Sequence, residues 1–501
     1  MAHGRCDQQD NSSLAGPVGP SKTLDEAEIQ YSWLGPGHFG GLISSRYGDG
    51  RRVIWSNGRQ QIAKLDYDTL EVLATLTLGN DSPVSVEEME AHLVGLDSLG
   101  GKEAIDHAIV LAMQFMTGLD GVYALLDCDN TLFLGRKTGA VAYVEVDPSD
   151  PTSAIVERDR WEKPAHIEGL FVGANLTFDG RIVLTTDHGW VVCLARDFSS
   201  YDAIQLPGAA ENAAEHCARL EAERGNTGYG WVRTSVCIDE TNGIYVNSVD
   251  HIHRVVWTGE RLSLDTSDGA WCAEYLNETG VGSGTTPSLM GFGAQDCFVV
   301  IGDGGEVVNI TLLWRDAIPD DWEQLPGAPS RRIAGMGPAN MGDPGIEAIQ
   351  TEQSITVSGY GAMTVNNEPA SIPETFPARG IRLLVFFLGH HEQYTPHGLH
   401  KFEWDPATRE LCSVWINTEV SSPNSVPFVG QGSNMVYVCG TRDGKWTIEG
   451  VDWTTGESMF HYIVGGSRYN GLGAGVTLDE EGRILYGNIF GKTRLIPSRS
   501  E

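Results

Sequence analysis

Two aspartate–histidine pairs stand out for chemistry, Asp187–His188 in "TTDHGW" and Asp250–His251 in "SVDHIH". A third feature is "LGHHEQYTPHGLHKFEW", residues 388 to 404, which holds four of the chain's fourteen histidines. A carboxylate that bonds one imidazole nitrogen orients the ring and leaves the other nitrogen free to act as a general base near neutral pH. Three or four imidazoles and carboxylates meeting at about 2.0–2.2 Å would instead bind Zn²⁺, Mn²⁺ or Fe²⁺. Both chemistries call on the same residues. His188, His251 and His397 would carry protons, Asp187 and Asp250 would orient imidazoles, and Glu352 in "IQTEQSITV" would be a further carboxylate. The metal version uses His188, His251 and Glu352. Substrate contacts are expected from His390, His391 and Tyr394, from Arg136 and Arg442, and from Thr285 and Thr286 in "GSGTTPSLMGF". HExxH, Cys–His zinc spacings and Gly-rich phosphate loops are absent from the sequence.

These residues are spread over more than two hundred positions, so only a fold that returns to the same place repeatedly can gather them. The sequence has such a rhythm: a short apolar strand, a polar turn, a second strand, a second turn, a third strand. Clear copies are "NLTFDGRIVLTTDHGWVVCLARD" from Asn175, "SVCIDETNGIYVNSVDHIHRVVWTG" from Ser235 and "GVTLDEEGRILYGNIFGKTRLIP" from Gly475. Further copies begin near Leu42, Tyr123, Ser288, Ser358 and Phe428, making eight. Units of three or four short antiparallel strands cannot bury both faces alone, and radial stacking solves this. The expected fold is an all-β propeller of eight blades, with seven as the alternative. The last copy ends one strand short, and "EAEIQYSWL" around Ile29 can supply that strand.

In such blades the turns between second and third strands open on the face where propellers generally place ligands. Those turns include Arg136, Asp187–His188, Asp250–His251, Arg442 and Asn488. In the sixth copy everything from Asn366 to Gly398 becomes an expanded turn, with His390, His391 and His397 inside it. Its apolar stretch "IRLLVFFLG" is expected to form an extra strand or an apolar wall over an axial cavity. Two segments show helical spacing instead, about 85–117 and 209–224, and read as inserts between blades whose His92, His107 and His216 pack or face solvent. Residues 1–25 read as a flexible polar tail, leaving 26–501 as one propeller domain.

The net charge of −33 argues against nucleic-acid and anionic-membrane partners, leaving a small-molecule substrate as the expected partner. Nine single cysteines, without CxxC or adjacent pairs, and no apolar leader point to a reducing, cytoplasmic setting.

The eight-copy count, with "KLDYDTLEVLATLTL" and "GVDWTTGESMFHY" joining outer strands, resembles the quinoprotein-like β-propeller superfamily at the level of architecture. Quinoprotein dehydrogenases of that group carry adjacent cysteines, a secretion signal and a tryptophan motif in most blades. This chain lacks the first two and has the third only sporadically, so pyrroloquinoline quinone is not expected and a divalent metal is the cofactor to test. Propeller lactonases of the gluconolactonase type bind a cation through Glu, Asn and Asp, which Glu352, Asn366 and Asp250 would imitate. Together these features suggest an enzyme acting by His/Asp acid–base or metal-assisted hydrolysis, isomerisation or elimination in an axial cavity. The alternatives are a non-catalytic propeller for a protein or glycan, and a quinone-dependent oxidoreductase.

Overall fold

The computed structural model describes residues 5–79, 83–117, 119–224, 230–293, 295–374, 376 and 381–498. They form eight antiparallel sheets, seven built on four consecutive strands and the eighth on three, with extra strands on two of the seven. The eighth sheet is completed from the other end of the chain: Ile29–Trp33 pairs antiparallel with Gly491–Leu495.

Burial follows position within each sheet. The second strands Val53–Asn57 and Ile182–Thr186 are buried at every residue, because neighbouring sheets cover both faces. The fourth strand Glu410–Asn417 exposes most of its residues, because it lies at the outer edge. First strands of successive sheets lie against one another and define a common axis. Asp66 and Asp452 close the turns between third and fourth strands by accepting backbone N–H groups two and three residues on.

Among the described residues four α-helices interrupt this plan. Helix α1 (Val86–Ser98) starts at Ser85, whose hydroxyl accepts the Glu88 N–H, and α2 (Gly101–Leu111) continues as a π-turn to Met116. Helix α3 (Ala209–Arg224) links the third and fourth sheets, and α4 (Ile381–Leu388) lies in the long segment between the second and third strands of the sixth. The stretch expected as an extra strand is therefore helical. Its Leu384, Phe387 and Leu388 pack on Leu93, Leu96 and Ala108 of α1 and α2, and Phe490 from a turn of the eighth sheet joins them.

The amino-terminal segment also departs from expectation. Residues 5–25 are not a flexible tail: Gln8, Gln9, Asp10 and Asn11 are buried, and Asn11–Ser12 pairs parallel with Val429–Gly430. Backbone donors of several first strands hold this segment across the axis. Polarity suggested a loose tail because the unmatched edges that receive it are remote in sequence.

Candidate active site

Asp250 and His251 sit at the turn between Gly243–Asn247 and His251–Trp257 of the fourth sheet. Asp250 Oδ1 is 2.8 Å from His251 Nδ1. With Nδ1 held by a carboxylate, Nε2 is the nitrogen left for a substrate. The pair lines a cleft of about 590 Å³ whose opposite wall is α3, with Asn212, His216 and Arg219, and whose remaining wall includes Trp231. Desolvation, reinforced by Arg219 and opposed by Asp250, lowers the His216 pKa, so this ring is neutral at pH 7. Arg219 donates to the Gly280 carbonyl and pairs with Glu223 at 2.9 Å, which partly offsets its charge. Cys272 also lines the cleft. Desolvation, with Asp250 adding to it, pushes its thiol up to about 11, so it is protonated and a poor nucleophile.

Sequence reasoning missed α3 as a wall of this cleft and left His216 as a packing residue. Its signal was the polar stripe Asn212, His216, Arg219, spaced four and three residues apart on a helix and therefore on one face.

The other pair has a different setting. Asp187 Oδ1 is 2.7 Å from His188 Nδ1 but also accepts the Leu170 N–H at 2.8 Å. Cys217 of α3 lies against it, its Sγ 3.6 Å from the Asp187 carbonyl oxygen. Thus α3 lies between the two Asp–His turns, with Cys217 on one and His216 in the cleft of the other. His397 is exposed, and its carbonyl oxygen accepts the Asn366 side-chain amide. Among the described residues no hydrogen bond, ion pair or ring contact joins His188, His251 and His397.

The metal set His188, His251 and Glu352 is corrected likewise: among the described residues no three His, Cys, Asp or Glu side chains form a group able to hold a metal ion. Glu352 instead lies 2.9 Å from Arg382 and 3.5 Å from Arg233, with its side chain largely buried. Two guanidinium groups that close compete with any cation for the carboxylate. Gly284 permits the arrangement, since a Cβ there would lie 3.1 Å from Glu352 and 2.6 Å from the Thr351 carbonyl oxygen.

The expected substrate contacts are bonded within the scaffold. His390 is buried, 3.4 Å from Asp97 and tilted against Trp446, while His391 Nε2 is 2.9 Å from the Leu96 carbonyl oxygen. Tyr394 is buried in the apolar cluster between α4 and α1. The histidine-rich run therefore fastens the long segment to α1. Thr285 and Thr286 are buried, and Thr285 Oγ1 accepts the Gly302 N–H. Arg136 bonds the Tyr143 hydroxyl, and Arg442 makes a bidentate pair with buried Glu449.

Sheets of four strands, stacked around an axis and closed by a strand from the far end of the chain, define a β-propeller. The chain belongs to one family with an uncharacterized protein of Archaeoglobus fulgidus, to which it is 30% identical over 465 residues, 90% of this chain and 79% of that protein. No protein-family model matches it. Among solved structures, a quinohemoprotein alcohol dehydrogenase from Pseudomonas putida superposes over 99% of this chain and 80% of its own, with 11% identity and a TM-score of 0.50. A putative 6-phosphogluconolactonase from Bacteroides fragilis covers 86% of this chain and 96% of its own at 12% identity, TM-score 0.42. A streptogramin B lyase covers 93% and 96% at 10% identity, TM-score 0.37. At these identities the likeness concerns the fold alone. No helix among the described residues is long and apolar enough to cross a membrane.

Proposed function

We propose that this chain is an eight-bladed propeller enzyme that moves protons on a small, uncharged organic molecule held beside α3, with His251 as general base and Asp250 as the group that orients it. The observation that carries the reading is the 2.8 Å contact between Asp250 and His251 Nδ1 inside a cleft of molecular size. The eight sheets of the described residues, closed by Ile29–Trp33, support the blade count.

Withdrawing a proton from water, from carbon next to a carbonyl, or from a leaving fragment corresponds to hydrolysis, isomerisation or elimination, and all three begin with an unprotonated imidazole. The neutral substrate follows from charge: the chain carries −33, and Glu215 and Asp250 lie in the cleft beside an arginine already paired to Glu223. His216, held neutral, offers hydrogen bonding without charge on the facing wall.

The test is turnover of a panel of neutral lactones, esters, ketones and β-eliminable compounds by wild-type protein and by His251→Ala. The reading expects at least one substrate whose turnover falls by roughly 10²-fold or more in the variant. Undiminished turnover of that substrate by a folded His251→Ala protein would overturn it.

A further inference from the structure

Residues Cys6 to Ser12 cross the first strands of consecutive sheets in order. The Cys6 carbonyl accepts the Ile238 N–H of the fourth sheet at 2.9 Å and the Asn175 side-chain amide of the third at 3.1 Å. The Asp7 carbonyl accepts Leu289 N–H of the fifth, the Gln9 carbonyl accepts Val357 N–H of the sixth, and the Asp10 carbonyl accepts Val429 N–H of the seventh, each at 2.9 Å. Side chains add to this. Gln9 Nε2 donates to the Leu289 carbonyl at 2.8 Å, Asn11 Nδ2 to the Val357 carbonyl at 2.6 Å, and the Ser288 hydroxyl to the Gln8 carbonyl at 2.7 Å. The sheets thus present a curved row of backbone donors and acceptors, and a chain segment fills it.

Three features separate this segment from the sheets it touches. The fourth to seventh sheets each have a full set of four strands without it, so it is added to completed units. From Asp7 to Ser13 the sequence is DQQDNSS, with no apolar side chain, so its hold is directional hydrogen bonding with little hydrophobic burial. Gln8 and Asp10 have φ of 57° and 56°, left-handed conformations that non-glycine residues rarely adopt and that the docked state must sustain. The connection to the next paired residues, Lys22–Thr23, alternates exposed Ser13, Ala15, Val18 and Pro20 with Leu14, Gly16 and Pro17, which bond Gly432, Ser433 and Tyr437 of the seventh sheet, so a cut after Val18 releases these contacts together with the plug.

We propose that the axial edges of the third to seventh sheets form a peptide-binding site, and that Cys6–Ser12 of this same chain is its ligand, a plug that exchanges as a unit. The recognised chemistry is an extended peptide whose carbonyls meet the strand N–H groups and whose Gln and Asn carboxamides meet strand carbonyls, the strand-edge mode of peptide capture.

The test keeps the full chain. A protease recognition sequence inserted after Val18 is cut once the protein has folded, and the nicked protein is mixed with excess fluorescent peptide spanning residues 5–14. The proposal expects the released fragment to exchange for the peptide at one per chain, a lower Tm when the fragment is removed, recovery on adding the peptide, and about tenfold weaker binding for peptides with Gln9→Ala or Asn11→Ala. Retention of the original fragment over days in folded protein overturns it, as does loss of the fragment with no change in Tm and no rebinding. Deletion of residues 1–12 gives an independent reading. Recovery of folded protein with the peptide supplied during refolding supports the site, and failure with the peptide at saturation overturns it.

Discussion

Asp250 Oδ1 lies 2.8 Å from His251 Nδ1, and the two are adjacent in sequence at one turn, so this orienting contact needs no other element to form. The carboxylate accepts the Nδ1 proton and so selects, for the neutral ring, the tautomer whose Nε2 carries no hydrogen. Asp250→Asn would present an amide N–H to Nδ1, moving the imidazole proton to Nε2 and removing the base. The side chain is about half exposed, so the fold should tolerate the change. Expected is a fall in kcat of roughly 10²-fold or more with an unchanged melting temperature, checked by steady-state kinetics on a substrate from the panel.

Lys492 carries a second prediction. Its side chain is fully enclosed between the eighth and first sheets, where Nζ donates to the His38 carbonyl at 3.2 Å and the Gly40 carbonyl at 2.8 Å. Desolvation pulls its pKa down to about 7. Between that value and the ordinary 10.5, the unfolded chain binds a proton the folded chain does not, so stability rises with pH by up to about 1.4 kcal/mol per unit from this site. Lys492→Met should flatten that rise, and urea midpoints of both proteins at pH 7, 8 and 9 measure it as a difference that grows with pH.

Buried imidazoles act at the other end of the scale. Burial, with Lys492 adding, lowers His38 to about 3; burial, with His251 adding, lowers His253 to about 3; burial alone lowers His400 to about 4. All three are fully enclosed. As pH falls through the unfolded value near 6.5, the unfolded chain takes up protons these sites refuse, so stability falls with falling pH by up to about 4 kcal/mol per unit in sum. Urea unfolding between pH 7 and 5.5, above the main carboxylate range, should show this loss, and His400→Phe should lower the slope by up to about 1.4 kcal/mol per unit.

How much of this was legible in the sequence depended on distance along the chain. Strand and turn rhythm is local, which is why the turn at Asp250, the expanded turn from Asn366 and the closing strand near Ile29 could all be placed. Each Asp–His pair is a contact between neighbours and was equally readable. The roles of His390 and His391 were not, because their partners Asp97 and Leu96 lie nearly three hundred positions away on α1. Glu352 was read as a free carboxylate because nothing near it in sequence announces Arg233 or Arg382. Residues 6–12 were misread for the same reason: a polar segment is ordered here by strand edges that only the assembled ring presents.

The Glu352 arrangement can itself be tested. Its carboxylate lies between Arg382 at 2.9 Å and Arg233 at 3.5 Å, and the Arg233 side chain is only 8% exposed. Removing the negative charge leaves two cations close together with less water than they would have in solvent, and breaking a buried pair from one side costs more than the pair itself contributes. Glu352→Gln keeps the size and one hydrogen-bonding oxygen, so its effect isolates charge. Expected is a loss of on the order of 3 kcal/mol, read from urea unfolding at pH 7. Adding Arg233→Met to the variant should restore part of that loss, because it removes the repulsion. If Glu352 served as a metal ligand, the single variant would lose a metal-dependent rise in Tm; as an arginine partner it loses stability equally with and without added Mn²⁺ or Zn²⁺, and parallel melts in chelator and in metal distinguish the two.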